Sequence, residues 1–477
     1  MSLESPVLEI DPLLDDQKTR IIVCCGSGSV GKTTTAAALG VRAAERGRTA
    51  VVLTIDPARR LAQSMGLTEL DNTPREVAGI DRSAGGTLHA MMLDMKRTFD
   101  EVVVQHSDPE RARAILENPF YQSLSAGFAG TQEYMAMEKL GQLRAQDAWD
   151  LIIVDTPPSR SALDFLDAPK RLGSFLDGRF IKLLMAPAKV GGRAGVKFLN
   201  IGMSMMTGTL SKVMGTGLLR DVQTFVAAMD TMFGGFRTRA DATFRLLQAP
   251  GTAFLVVAAP ERDALREAAY FVERLAAEDM PLAGLVLNRV HGSGAAHLTP
   301  ERALAAAEML EDAADDAAAE AADEAAAEAA AAPAAEPAKS AGSKAEAKLA
   351  DGGIVDLPHG KADPRSPSGT PDGTDDRAAT ERAAQDRAAQ DRVTDRAQDR
   401  MEGAQQAHTE RLAAGLLRLH AERMQVVARE RRTRDRFVSV HPEVPMVDVT
   451  ALPGDVHDLP GLRAIGERLA GGQPAAA

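Results

Sequence analysis

The sequence has little cysteine and no long apolar run. Its two cysteines, Cys24 and Cys25, are adjacent, and neighbouring residues of a strand point to opposite faces, which argues against a disulfide between them and against a cysteine-based zinc site. The sequence contains no uninterrupted run of 18 apolar residues, so no membrane span is predicted. The acidic residues 1–17 lack a signal-peptide pattern. These absences predict a cytoplasmic protein.

An excess of positive charge is also missing. The 55 lysines and arginines face 67 aspartates and glutamates, so the formal net charge is −12, and we expect no nucleic-acid partner. Aromatic residues make up only 4% of the chain, partly because half of residues 301–350 are alanine. The composition therefore describes a globular body together with a low-complexity insert.

Short apolar segments alternate with helix-forming segments along the body. This alternation predicts an α/β fold with a doubly wound, mostly parallel sheet. The predicted strands are Arg20–Cys25, Thr49–Ile55, Leu151–Val154, Ala253–Ala258 and Leu282–Leu287, with weaker candidates at Val438–Val440 and Pro445–Val449.

Two insertions interrupt the alternation. The first, about residues 167–248, is rich in methionine and is predicted to be helical. Methionine suits an adaptable binding surface, but it also fills gaps in ordinary cores, so both interpretations stay open. The second combines an Ala/Asp/Arg-rich segment at 301–400, expected to be disordered at about 333–376, with a charged helix at 401–436.

The remaining parts of the chain complete this domain plan. A tail, residues 1–19, precedes the domain at 20–300, and residues 437–477 add a strand and a helix to it. The composition favours a solvated linker over a binding device for the low-complexity segment. An apolar stripe is expected to dock the later part of the charged helix on the body; it comprises Leu412, Leu416, Leu419, Met424 and Val427.

The clearest motif is Gly26-x4-Gly31-Lys32-Thr33, which matches the P-loop pattern between a strand and a helix. The glycines let backbone N–H groups surround phosphates at the helix N-terminus. Lys32 adds positive charge at the β and γ phosphates, and the Thr33 hydroxyl ligates Mg²⁺. The predicted nucleotide-binding residues of this loop are Gly26, Ser27, Gly28, Ser29, Val30, Gly31, Lys32, Thr33 and Thr34.

Two aspartates follow predicted strands. Asp155 ends an apolar strand and is a candidate second ligand for Mg²⁺, directly or through water. Asp56 ends the strand after the P-loop helix, where a carboxylate could orient or deprotonate the attacking water. Because Asp56-Pro57 is also a common turn, the residues alone leave the role of Asp56 open.

Several motifs together resemble the arsenite-pump ATPase family, which includes the ATPases that target tail-anchored proteins. Gly26–Thr33 resembles its deviant P-loop, and Thr54–Leu61 its first switch, where the aspartate positions water. Asp155–Arg160 resembles its second switch. The resemblance covers about residues 20–290 and 437–470, and its closest branch comprises the actinobacterial anion-transporting ATPases.

The resemblance also implies residues at the nucleoside end of the site. Val286–Arg289 resembles the adenine-binding strand end of the family, with Asn288 at the base. Pro260-Glu261 and the terminal segment Ala451–Asp455, which includes Pro453, correspond to positions that close the nucleotide pocket. The implied activity is Mg²⁺-dependent ATP hydrolysis, with Lys32 and Asp56 as the catalytic residues, that opens and closes a dimer acting on a protein client.

Departures from the family pattern set further expectations. The family's signature lysine, which reaches the partner's nucleotide across a dimer, falls at Ser27. We therefore expect a heterodimer with a related subunit that carries this lysine, with a homodimer as the alternative, and a client on the methionine-rich subdomain. Arg160-Ser161 replaces Gly-His in the second switch. A nucleotide sensor that hydrolyses little ATP, and a DNA-associated partition ATPase, are the alternative functions.

Overall fold

A computed structural model describes residues 5–55, 60–119, 121–122, 131–157, 238–331 and 376–471. Several sequence-based predictions fall outside these residues. They are Asp56, the end of the second switch, the methionine-rich part of the first insertion, and all of the tract expected to be disordered except Asp376.

The described residues form an eight-stranded sheet with the order β3-β4-β2-β5-β1-β6-β7-β8. All neighbouring strands are parallel except the antiparallel pair β3 and β4. This confirms the mostly parallel α/β architecture of a P-loop NTPase. The strands are β1 (Ile21–Cys25), β2 (Thr49–Thr54), β3 (Arg75–Glu76), β4 (Thr87–Met92), β5 (Leu151–Asp155), β6 (Thr252–Ala258), β7 (Leu282–Val290) and β8 (Met446–Thr450).

Helices connect the strands and cover both faces of the sheet. Ile21 and Cys25 belong to one buried apolar cluster, whereas Ile22 and Cys24 belong to another. This double burial explains the continuous apolar run of β1, and it places the two free cysteines on opposite faces, as predicted. The helices are α1 (Ile10–Asp15), α2 (Lys32–Glu45), α3 (Arg60–Ser64), α4 (Met95–His106), α5 (Pro109–Leu116), α6 (Thr131–Gln146), α7 (Arg262–Ala277), α8 (Pro300–Ala331), α9 (Asp376–Val440) and α10 (Leu459–Gly471), with a further helical stretch at 238–248.

The weak strand prediction at Val438–Val440 is wrong, because these residues are the last turn of α9. The backbone N–H of His441 still donates to the carbonyl of Phe437 at 2.9 Å. Val438 is buried whereas Val440 is 66% exposed, so the short apolar run lies on a helix with one buried side. Pro442 follows and cannot continue a helix.

Strands β3 and β4 were not predicted from the sequence. In β4, buried Leu88 and Ala90 flank the partly buried His89, and this polar interruption conceals the strand. β3 is only two residues long and has no sequence signal of its own. Together they extend the sheet beyond β2 at one edge.

The chain divides into two compact units, one made of Met1–His297 and Arg423–Ala477, the other of Leu298–Glu422. The first unit contains the sheet. In the second, ion pairs join α9 to α8 through Arg418 with Glu311 and Arg411 with Asp315. Among the described residues, no helix is both long enough and apolar enough to span a bilayer.

The apolar stripe of α9 divides in the structure. Met424 and Val427, which belong to the first unit, are buried, whereas Leu412, Leu416 and Leu419 are 58%, 67% and 63% exposed. The expectation that the whole stripe packs on the body is therefore wrong. The buried residues of this part of α9 are instead alanines, at Ala407, Ala414 and Ala421.

Candidate nucleotide site

The loop between β1 and α2 provides an anion site at a helix N-terminus. Gly31 is the N-cap of the helix with φ of +97° and has no side chain that could cap it, and the first turn contains no acidic residue. The backbone N–H groups that begin an α-helix have no partners within it, and the helix dipole is positive there. This arrangement favours phosphate.

Two glycines of the loop are required by close contacts. Gly26 has φ of +147°, and a Cβ there would collide with the carbonyl oxygen of Val257. At Gly31, a Cβ would collide with the side-chain nitrogen of Asn288. The loop therefore lies too close to the ends of β6 and β7 for a larger residue at either position.

Lys32 is the first residue of α2 and is only 6% exposed. Its Nζ donates to the backbone carbonyl of Ser27 at 2.6 Å, so the ammonium group is held against the loop that would surround the phosphates. Ser27 is 7% exposed, whereas Ser29 is exposed and has φ of +61°.

The structure brings together Thr33 and Asp155, the two residues predicted to hold magnesium. The Thr33 hydroxyl donates to Oδ2 of Asp155 at 2.7 Å, and the Thr54 hydroxyl donates to the same oxygen at 2.9 Å. Asp155 is fully buried. Mg²⁺ prefers hard oxygen ligands and usually takes only one or two from the protein when phosphates supply others. The hydroxyl and carboxylate therefore fit this ion.

A cavity of about 1070 Å³ opens beside the P-loop. It lies at the carboxyl ends of β5, β7 and β8, the usual position of a ligand in a parallel sheet. The predicted binding residues that line it are Ser29, Gly31, Lys32, Thr33, Thr34, Asn288 and Pro453. Gly26, Ser27, Gly28 and Val30 belong to the P-loop but are not among the lining residues of the cavity.

Asn288 joins the end of β7 to the P-loop. Its Nδ2 donates to the carbonyl of Val30 at 2.8 Å. The β7–β8 register shifts between Asn288 and Val290, and Arg289 has φ of +62°. Neighbouring side chains of a regular strand point to opposite faces. Because of this bulge, a common feature beside functional sites, Asn288 and Arg289 both line the cavity.

His291 lines the same cavity and is held by a glutamate of α9. Its ring Nδ1 lies 2.6 Å from Oε1 of Glu430, and its backbone N–H donates to Oε2 at 2.9 Å. Arg423, also on α9, donates from Nε to the carbonyl of Gly292 at 2.6 Å. The end of α9 therefore fixes the two residues that follow β7.

The segment after β8 forms another part of the cavity wall. Residues 450–457 all line it, including Pro453. Pro260 and Glu261 instead precede α7 and are not among the lining residues. For this pair, a role in closing the pocket stays a prediction.

The two cysteines are unsuited to binding a metal or a metalloid. Burial raises the pKa of the Cys24 thiol well above its ordinary value, and the negative charge of Asp155 raises it further. Burial raises the pKa of Cys25 to about 12. Because the thiolate is the form that ligates metals and metalloids, both side chains are inert in the core.

Among the residues around this cavity, His291 and Glu430 were not predicted from the sequence. Thr54 and Arg289 were part of the switch and strand-end motifs, but no role of their own was predicted for them. Glu430 lies in an arginine-rich helix and 139 residues from His291, so local pattern could not reveal the pair. The position of His291 just after the Asn288 strand end was the available clue.

The anion-transporting ATPase family model matches residues 19–297, which is more than half of the chain. The chain belongs to the anion-transporting ATPase family. Membership of this family indicates that the protein is an ATP hydrolase, in agreement with the P-loop and the Thr33–Asp155 contact.

Curated relatives resemble the chain at modest identity. The protein named ATPase GET3 from Phaeosphaeria nodorum is 29% identical over 231 residues, covering 46% of this chain and 69% of the relative. ATPase GET3 from Malassezia globosa is 28% identical over 160 residues, 34% of this chain and 45% of the relative. A putative arsenical pump-driving ATPase from Halobacterium salinarum is 28% identical over 191 residues, 38% of this chain and 28% of the relative. The chain thus matches less than half of the length of two of these relatives.

Proposed function

We propose that this anion-transporting ATPase family member binds Mg²⁺-ATP in the cavity beside the P-loop and hydrolyses it to open and close a dimer that acts on a protein client. The observation that carries the proposal is the 2.7 Å contact between Thr33 and Asp155 beside the N-terminus of α2, whose N-cap is Gly31. It joins a hydroxyl and a buried carboxylate, the oxygen ligands of a nucleotide-bound magnesium ion.

Each residue at the phosphate end has a distinct task. Lys32 would move from the Ser27 carbonyl to the β and γ phosphates, where its charge offsets charge that develops during transfer. Thr33 and Asp155 would hold Mg²⁺, with Thr54 fixing the Asp155 carboxylate. When bound, the ion supplies positive charge to the phosphate oxygens. Asp56, outside the described residues, is proposed to position the attacking water.

The partner is proposed from position 27. A serine there cannot supply the long cationic side chain that the family pattern places at this point, and Ser27 is buried in the loop. A related subunit carrying that lysine would complete the site of this chain in a heterodimer. Assembly as a homodimer is the alternative, and a cytoplasmic location stays a prediction from the sequence.

The client is proposed to be a protein bound by the methionine-rich subdomain, outside the described residues. Arsenite does not fit this chain, although one relative is named an arsenical pump-driving ATPase. The only cysteines are Cys24 and Cys25, and burial keeps their thiols protonated.

A second function is favoured by the same serine. Without the lysine the chain could bind ATP as a sensor and hydrolyse little of it, serving as the regulatory subunit of a heterodimer. Phosphate release in a single turnover separates the two functions. Release at a rate well above that of free ATP supports the ATPase, whereas bound ATP that stays intact supports the sensor.

Two variants test the site itself. Lys32→Ala is expected to abolish ATP binding, because it removes the charge at the phosphates, whereas Asp56→Asn is expected to keep binding and stop turnover. Binding is measured with a fluorescent ATP analogue and turnover by phosphate release. Lys96→Ala, on an exposed turn of α4, is the control for loss of a lysine. Normal turnover in both site variants would disprove the assignment.

A further inference from the structure

The cavity beside the P-loop extends well beyond the groups that would hold phosphate. Lys32 and Thr33 define the phosphate end, whereas Arg289, His291 and the segment 450–457 line the part formed by the ends of β7 and β8. Its volume of about 1070 Å³ lies at the upper limit of ordinary small-molecule pockets. The second part therefore has room for the base and ribose of a nucleotide.

At this nucleoside end, another residue holds the imidazole of His291 in place. The Glu430 carboxylate receives its backbone N–H at 2.9 Å and lies 2.6 Å from its Nδ1. Because a carboxylate accepts hydrogen bonds and does not donate them, Nδ1 carries a proton. Fixing one ring nitrogen in this way leaves Nε2 for a ligand and sets the ring orientation.

The glutamate itself is enclosed. Glu430 is 9% exposed as a residue, and the side chain of His291 is 42% exposed. The buried carboxylate thus supports an accessible imidazole, and Arg423 ties the next residue, Gly292, to the same helix. Binding residues are commonly held in place in this way, by a hydrogen bond from a buried side chain behind them.

We infer that His291 hydrogen-bonds the nucleoside part of the bound nucleotide through Nε2 and that Glu430 is the positioning residue that orients it. This inference rests on the proposed function, because it assumes that the cavity binds ATP. It adds a nucleoside contact beyond Asn288, whose amide is already engaged by the carbonyl of Val30.

The test compares ADP with inorganic tripolyphosphate, which carries phosphates but no nucleoside. Binding of each to the full chain is measured by calorimetry with Mg²⁺ present. His291→Ala and Glu430→Gln are each expected to weaken ADP binding about tenfold, the effect of losing roughly one hydrogen bond, and to leave tripolyphosphate binding unchanged. The double variant should bind ADP no more weakly than His291→Ala, because Glu430 acts through the histidine.

A matched control is Glu422→Gln, the same substitution at an exposed position of α9; it should bind both ligands like the wild type. If Glu430→Gln fails to fold, as judged by circular dichroism, His291→Ala with the two ligands still decides the nucleoside contact. In a folded Glu430→Gln protein, the nitrogen-15 shifts of the His291 ring would report the altered proton position.

Three results would overturn the inference. Unchanged ADP affinity in His291→Ala would remove the nucleoside contact. An equal loss of ADP and tripolyphosphate binding in Glu430→Gln would show that the glutamate supports the whole site. If the fold-loss of ADP affinity in the double variant equals the product of the losses in the two single variants, the glutamate acts independently of His291. A wild-type protein that binds neither ligand would instead contradict the proposed function as well.

Discussion

The side-chain nitrogen of Asn288 occupies the space that a Cβ at position 31 would need, while it donates to the carbonyl of Val30 at 2.8 Å. The end of β7 therefore packs directly on the P-loop backbone. A residue implied at the adenine also determines the shape of the loop that would hold the phosphates. Loop and strand end should consequently be sensitive to the same substitutions.

Gly31→Ala should abolish nucleotide binding. Alanine at φ of +97° is strained by about 1 kcal/mol or more, and its Cβ also collides with Asn288, so the loop must move. Calorimetric ADP binding and urea denaturation measure the two effects.

Gly85→Ala is the matched control for this substitution, because Gly85 has φ of +86° and nothing within 4 Å of a Cβ. It should show the strain alone and keep ADP affinity. If Gly31→Ala binds ADP like the wild type, the proposed contact between loop and nucleotide is wrong.

Two threonines donate to one carboxylate oxygen, but only one of them is expected to touch magnesium. Thr33→Val removes a proposed ligand and should reduce Mg²⁺-dependent hydrolysis at least about 100-fold, the scale of losing one group that stabilises the transition state. Phosphate release at increasing Mg²⁺ concentration measures this loss.

Thr54→Val removes the other hydrogen bond to Asp155, 2.9 Å long, without removing a ligand. It should lower the free energy of unfolding by about 1 kcal/mol and leave the Mg²⁺ concentration for half-maximal activity nearly unchanged. Equal changes in Mg²⁺ dependence for both variants would contradict the assignment of Thr33 as the ligand.

The sequence predicted the central strands because both faces of the sheet are buried. In β1, residues alternate between two apolar clusters, so every position is apolar and the pattern is unambiguous. The same reasoning failed at Val438–Val440, where a short apolar run belongs to a helix end. It also missed β4, whose partly buried His89 breaks the run.

Within the site, residues of the P-loop motif were predictable because their spacing in the chain reflects their chemistry. The meeting of Thr33 with Asp155, 122 residues apart, followed from the rule that parallel strands end at one edge. No such rule connects His291 with Glu430, since Glu430 belongs to a helix beyond the low-complexity segment. Asp56 lies outside the described residues, so its role still depends on the sequence alone.

Ser27→Lys tests the heterodimer proposal. If the missing lysine limits catalysis, this single change should let the chain hydrolyse ATP without a partner, with a rate that rises with protein concentration as dimers form. Phosphate release over a range of protein concentrations measures the effect, and Ser29→Lys, which adds a lysine at an exposed position of the same loop, is the control. Vigorous hydrolysis by the wild type alone, unchanged by Ser27→Lys, would remove the case for a complementing subunit.

Asp448 of β8 should make the folded state less stable as the pH rises. Burial raises its pKa, and the charge of Arg434 only partly offsets this, since the guanidinium Nε lies 3.7 Å away. The folded chain therefore retains a proton that the unfolded chain loses near the ordinary value of 3.8, so stability falls between that pH and the raised pKa. Asp448→Asn should abolish this fall and increase the free energy of unfolding at pH 7, measured by urea denaturation from pH 4 to 8. The exposed Asp435→Asn is the control for the loss of an aspartate near the end of α9, and a less stable Asp448→Asn at pH 7 would show that the ion pair with Arg434 outweighs the cost of burial.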